Sequence, residues 1–284
     1  MESFLDYARR GKHDWWRYLI ATPAALLLAT IGGVAIGLAL LQTGVMTAET
    51  LQDALTSPAV PARFFAATGV TFALIMAAFA AMIALIHRKR PLDVLGRWSW
   101  KQYAIGVAVW AVVLVVLTLV DYALSPSSFS LDHGGKSLTI AGWMLAGLFV
   151  QTLAEEYIFR GYVTQGLLLA FKNPWVTAAV SGLVFGAVHI PNGLPQAVAA
   201  TGLGAGLALI AIRTGGLAWG AGLHLINNLF GALIVVSATD VFNGSPAFIR
   251  QNSPQLMWWD TVAVWLAALL TAAAVEIWSR RRRA

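Results

Sequence analysis

Apolar runs of about 20 residues recur along this chain from one end to the other. As a helix, each is long enough to cross a hydrocarbon core of about 30 Å. The composition agrees: the 284 residues are 58% hydrophobic and only 11% charged, with a mean hydropathy of +0.71, far from that of a soluble globular domain. The fold class this sets is all-α, a polytopic membrane protein of about eight transmembrane helices. The spans fall near 17–42, 64–86, 103–123, 138–171, 175–190, 195–213, 216–237 and 258–279. No long linker, low-complexity tract or soluble domain interrupts them, so residues 1–284 read as a single membrane domain.

The net charge is +6 and the isoelectric point about 9.9. In a soluble chain that balance would suggest nucleic acid; here the basic residues act as topology signals. With loops placed on alternate sides, one side holds Arg9, Arg10, Lys12, Arg17, Arg88, Lys89, Arg90, Arg97, Lys101, Lys172, Arg213 and Arg280 to Arg283. The other holds Arg63, Lys136 and Arg250. The positive-inside rule then puts both termini in the cytoplasm. Trp98, Trp100, Trp258, Trp259 and Trp278 stand at span ends as interface anchors, and Pro91, Pro126, Pro174, Pro191 and Pro254 lie in or near the connections. Residues 1–16 are charged and Trp-rich, fit a short interfacial helix and show no signal-peptide cleavage site. The absence of cysteine excludes disulfides, thiolate metal sites and a Cys nucleophile.

Against this apolar background, Glu155, Glu156 and Arg160 in AEEYIFRG are costly, at roughly 2.5–3.5 kcal/mol per charge on insertion scales, and such groups suggest a functional site by default. Glu156 and Arg160 are at i,i+4, the spacing of a structural ion pair. Glu155 projects about 100° away, on the face of Phe159, without a local partner. That makes it the better candidate for proton transfer. Of five histidines, His13, His87 and His133 fall in loops or at interfaces, and only His189 and His224 fall at or within spans. Phe185 shares a helical face with His189, and His224 shares one with Asn228. The pairs Gly182/Gly186, Gly202/Gly206 and Gly216/Gly220 have the small-xxx-small spacing of close helix packing.

Helix lengths bring some of these residues to one depth. Glu155 lies 17 residues before Lys172 and His189 lies 17 after it. Both therefore sit about 25 Å from the turn between the two spans. His224 lies only about 12 Å from its own turn at Gly216. The difference closes if the fourth span and its turn protrude into the cytoplasm, or if a helix is tilted.

A buried carboxylate beside a histidine can activate water, since desolvation strengthens a carboxylate as a base. His224 and Asn228 can donate to the oxyanion of a tetrahedral intermediate. Together these groups could hydrolyse an acyl bond without a covalent nucleophile. A metal version uses Glu155, His189 and His224 as ligands, a set found in catalytic zinc sites, although no HExxH helix is present.

AEEYIFRG, FGAVH and HLINN resemble the EExxxR, FxxxH and HxxxN motifs of the CPBP intramembrane proteases: type II CAAX prenyl endopeptidases and their bacterial abortive-infection and bacteriocin-immunity relatives. The resemblance covers about residues 138–236, in the expected order. It implies an intramembrane endopeptidase of the bacterial inner (plasma) membrane acting on a membrane peptide or protein. Glu155 would activate water with His189, His224 and Asn228 would form the oxyanion hole, and Glu156, Arg160 and Phe185 would support them. Such an enzyme needs no cofactor if it is a glutamate protease, and zinc if it is a metalloprotease. Its partners are the substrate and the lipid bilayer, not nucleic acid, and prenylated substrates are not implied. Two other functions use the same polar set: a non-enzymatic immunity or scaffold protein, and a proton-coupled carrier, against which no internal repeat relates the two halves.

Overall fold

The computed structural model describes residues 3–132, 136–253 and 256–281. Of the residues singled out above, His133, Pro254, Arg282 and Arg283 lie outside them. In chain order the helices are α1 (Phe4–Ala8), α2 (Trp15–Gln42), α3 (Ala48–Thr56), α4 (Pro61–Leu85), α5 (Trp100–Leu124), α6 (Lys136–Glu155), α7 (Thr164–Phe171), α8 (Pro174–Ala187), α9 (Leu194–Thr214), α10 (Ala218–Leu229) and α11 (Leu256–Arg281). Among the described residues, five helices are long and apolar enough to cross a membrane: α2, α4, α5, α9 and α11 as far as Ser279. Their outward faces carry exposed Leu19, Leu27, Ile31, Val112, Val116, Leu119 and Leu270, an apolar belt suited to lipid.

The three expected spans that hold the charged residues and histidines are built differently. The 138–171 span is α6, a π-helical stretch over Glu156–Val163, and α7. The 175–190 span is the 14-residue α8, ending in a short 3-10 turn over Ile190–Asn192. The 216–237 span is the 12-residue α10, a second π stretch over Phe230–Ile234, and an extended Val235–Ser237. A single uniform helix is thus the wrong expectation where polar side chains must converge. The π stretch over Glu156–Val163 is mostly buried and that over Phe230–Ile234 is at least partly covered, so their irregular backbone can be satisfied by protein.

Small residues set the helix spacing. A Cβ on Gly182 would meet the Thr201 carbonyl oxygen at 2.5 Å, which seats α8 against α9, and one on Gly206 would meet the Ala268 carbonyl oxygen at 3.0 Å, which seats α9 against α11. A Cβ on Gly106 would overlap the Trp219 carbonyl oxygen, and one on Gly222 would overlap that of Tyr103, so α5 and α10 touch backbone to backbone. Trp110, Leu207, Ile210, Trp219, Leu223 and Ala268 fill the space between these helices.

The basic segments meet at one end of the bundle. Lys12 N–H donates to the His87 carbonyl, Arg97 N–H to that of Gly215, and Leu217 N–H to that of Leu95. Arg213 Nε is 2.6 Å from Glu276 Oε2 near the C-terminus. The N-terminal segment is more than an interfacial helix. Ser3 and Asp6 cap α1 reciprocally, and Phe4 is buried with Leu168, Ala211 and Leu217, plugging this end. At the other end three short strands, β1 (Phe129–Leu131), β2 (Val235–Ser237) and β3 (Ile249–Gln251), form a sheet in the order β1-β3-β2. β1 pairs with β3 antiparallel, with Ser130 opposite Arg250, and β2 pairs with β3 parallel.

Candidate active site

The π stretch follows directly on Glu155 and carries Glu156 and Arg160. Such turns are rare and concentrate at functional sites. Arg160 is fully buried and Glu156 is 1% exposed, with Arg160 Nη1 3.0 Å from Glu156 Oε1. The contact is one of charge more than of hydrogen-bond alignment, since no guanidinium nitrogen has an aligned hydrogen-bond partner among the described residues. The guanidinium also lies 3.9 Å over the Phe185 ring, so charge and an aromatic face hold it together.

His224 joins the two glutamates. Its Nδ1 is 2.8 Å from Glu156 Oε1 and its Nε2 is 3.5 Å from Glu155 Oε2. A carboxylate can only accept, so Nδ1 carries the proton of the first contact. The second is too long for a hydrogen bond. Glu155 Oε1 accepts from Gln151 Nε2 at 3.1 Å. His189 Nδ1 donates to the Phe185 carbonyl at 2.8 Å, which leaves Nε2 as the ring's accepting nitrogen. Phe185 stacks near both rings, at 4.4 Å from His189 and 5.9 Å from His224 between centroids.

Glu155, His189, His224 and Asn228 line one cavity of about 520 Å³, together with Gln151 and Phe185. Glu156 and Arg160 do not line it; they stand behind. The depth of His224 follows from the fold. α8 starts beside the end of α9, with the Arg213 guanidinium 5.9 Å from the Trp175 ring and Gly182 against Thr201 and Ala205. The turn before α8 is therefore near the level of the α9–α10 turn, and the fourth span reaches it by tilting across the bundle.

Residues 137–230 match the family model of the type II CAAX prenyl endopeptidases, Rce1-like. The chain is also 24% identical to the uncharacterized protein YyaK of Bacillus subtilis, over 99% of this chain and 97% of that protein. No solved structure matches significantly. The Rce1-like segment runs from the start of α6 to the start of the second π stretch, so it contains every cavity residue named above. At the level of the family, the match supports an intramembrane endopeptidase. The apolar helices support a membrane protein in contact with lipid.

Within the Rce1-like segment, Glu155, His189 and His224 each present an atom to the cavity, but no group of three His, Asp or Glu among the described residues is disposed to hold a metal ion. His224 Nδ1 is taken by Glu156 and His189 Nδ1 by a carbonyl. Each Nδ1 contact orients its ring and leaves Nε2 as the nitrogen that a water, a substrate or a metal would meet, so the contacts do not choose between the glutamate and metal versions. His13 and His87 stay outside the site, with His87 held between the Lys12 carbonyl and the Tyr162 hydroxyl.

Three residues of the site went unnoticed in the sequence. Gln151 sits at i−4 from Glu155, a spacing that could have flagged it. Asn227 and Trp110 form a chain with Asn228: Trp110 Nε1 donates to Asn227 Oδ1 at 3.0 Å, and Asn227 Nδ2 donates to Asn228 Oδ1 at 3.2 Å. Trp110 belongs to a distant helix and gave no local signal.

Proposed function

We propose that this protein is an intramembrane endopeptidase of the glutamate type, acting in a bacterial inner membrane on a membrane-associated peptide or protein. The observation that carries the reading is the division of the polar residues. Glu155, His189, His224 and Asn228 share the cavity, while the Glu156–Arg160 pair is sealed behind it.

In this mechanism a water lies between Glu155 and His189 Nε2. Glu155 takes its proton as the hydroxide attacks the carbonyl carbon of the scissile peptide, and Gln151 steadies the carboxylate through its other oxygen. The oxyanion accepts from the Asn228 amide and from His224 Nε2–H. For Nε2 to donate while Nδ1 donates to Glu156, the His224 ring is the imidazolium. Glu155, Glu156, Arg160 and His224 then sum to zero charge, as a buried polar set should. The proton held by Glu155 passes to the leaving amine as the tetrahedral intermediate collapses, which restores the carboxylate.

The test is Glu155→Gln. It keeps shape and the Gln151 contact but cannot act as a base. Cleavage should fall by about 10²–10⁴-fold with the protein still folded in the membrane. Substrate is found by expressing Glu155→Gln, identifying membrane peptides that accumulate uncut, and asking whether wild type cuts them. Wild-type rates from Glu155→Gln would remove the mechanism.

A further inference from the structure

The mechanism needs Asn228 to show its NH₂ end, not its oxygen, to the oxyanion. A primary amide can sit either way round, and only its neighbours decide which. Here the decision is made two residues away. The indole nitrogen of Trp110 is a donor only, so it fixes Asn227 with Oδ1 toward the indole. The other end of the same amide, Nδ2, then faces Asn228 and donates to Oδ1. With its oxygen turned to Asn227, Asn228 has its NH₂ as the opposite end of the amide, free to meet the cavity it lines. Trp110 is fully buried, and the close α5–α10 contact at Gly106 and Gly222 holds it in place.

We infer that Trp110 and Asn227 are positioning residues that set the polarity of Asn228, so that a donor rather than an acceptor meets the developing oxyanion. The inference rests on the proposed hydrolytic role of Asn228. Neither residue touches the reacting atoms under this scheme. A donor-only group at one end of a two-amide chain has one consistent solution, and that solution is the catalytic one. Relays of this kind are worth more than their separate bonds because each polarises the next.

The substitution that separates orientation from packing is Asn227→Asp. The new carboxylate still accepts from Trp110, but it turns an oxygen instead of an NH₂ toward Asn228. Asn228 then donates to it and presents its oxygen to the cavity. Measured on the trapped peptide in detergent micelles, kcat should fall about as far as in Asn228→Ala, roughly 10²-fold or more, with KM changed by less than about threefold. Trp110→Phe, which only frees the chain, should lose about tenfold in kcat. In the Asn228→Ala background, Asn227→Asp should cost nothing further. A mere effect of the added charge would persist in that background, so multiplicative losses overturn the inference, as does an Asn227→Asp enzyme with wild-type kcat. If wild type cuts no peptide, the hydrolytic reading fails by itself and the relay is judged by stability. The Tm losses of Asn227→Leu and Asn228→Leu must be non-additive, and additive losses overturn it whatever the protein cuts.

Discussion

Replacing Glu156 by Gln isolates one electrical effect. Gln keeps the volume and can still accept from His224 Nδ1 through its amide oxygen. It removes only the negative charge 3.0 Å from Arg160. Arg160 is fully buried, and Glu156 nearly so, so no water can take over the missing charge. Glu155 reaches Arg160 only as a weaker, more distant attraction. Breaking a buried pair from one side costs about 3–5 kcal/mol. For a chain of this size that corresponds to a fall in Tm on the order of 10 °C. Arg160→Met in the same molecule removes the orphaned charge and should return most of the loss, because an apolar pair of similar volume needs no desolvation. The assay is the fraction of protein remaining monodisperse in detergent after heating, for wild type, Glu156→Gln and Glu156→Gln/Arg160→Met. A single variant as stable as wild type, or a double variant no better than the single, would show that the pair does not carry the charge balance of the site.

Gly106→Ala should act at a distance from the cavity. Its Cβ would overlap the Trp219 carbonyl and come to 3.1 Å from Leu223 N, so α5 must move off α10 at a cost of about 1–3 kcal/mol. Heated-detergent stability should fall, and cleavage should fall with it as Trp110 leaves Asn227. The end of the bundle where the basic segments meet should show its own pH dependence. Burial pushes Lys89, which donates to Gln165, down to about 8 from 10.5. Above pH 8 the folded chain has released a proton that the unfolded chain still holds, so stability should rise between about pH 8 and 10. Lys89→Met should flatten that rise in a Tm-against-pH series.

The division between the glutamates was legible because it follows from a 100° step around any helix: Glu156 toward Arg160, Glu155 away from it. The spans without charges were equally legible, since nothing competes with length and hydropathy there. The bridge made by His224 was not. Sequence spacing paired His224 with Asn228 and Glu155 with His189, whereas the closest contacts of His224 are to both glutamates on another helix. Its depth depended on the tilt of the fourth span, which packing of α8 on α9 sets. The three-residue strands were invisible because Val235–Ser237 is too short to show a period of two and simply continues an apolar run. Trp110 reads as one more apolar residue until the fold places Asn227 beside its indole.

The π stretch has a consequence for heredity. Its turns hold one residue more than an α-helix would, and the surplus is lodged between the paired glutamates and the α7 end of the same helix. Loss of a single codon there would let the ladder close as ordinary α-helix, with no break in the apolar pattern and no new charge. Everything beyond the lesion would swing about 100° about the helix axis. Then either Glu155 leaves the cavity or Leu168 leaves Phe4 and Leu217. An in-frame deletion of one codon in this stretch should therefore be as damaging as losing Glu155 itself. The same deletion in the exposed turn after α2, around Gly44, where a Cβ would meet nothing, should pass almost unnoticed.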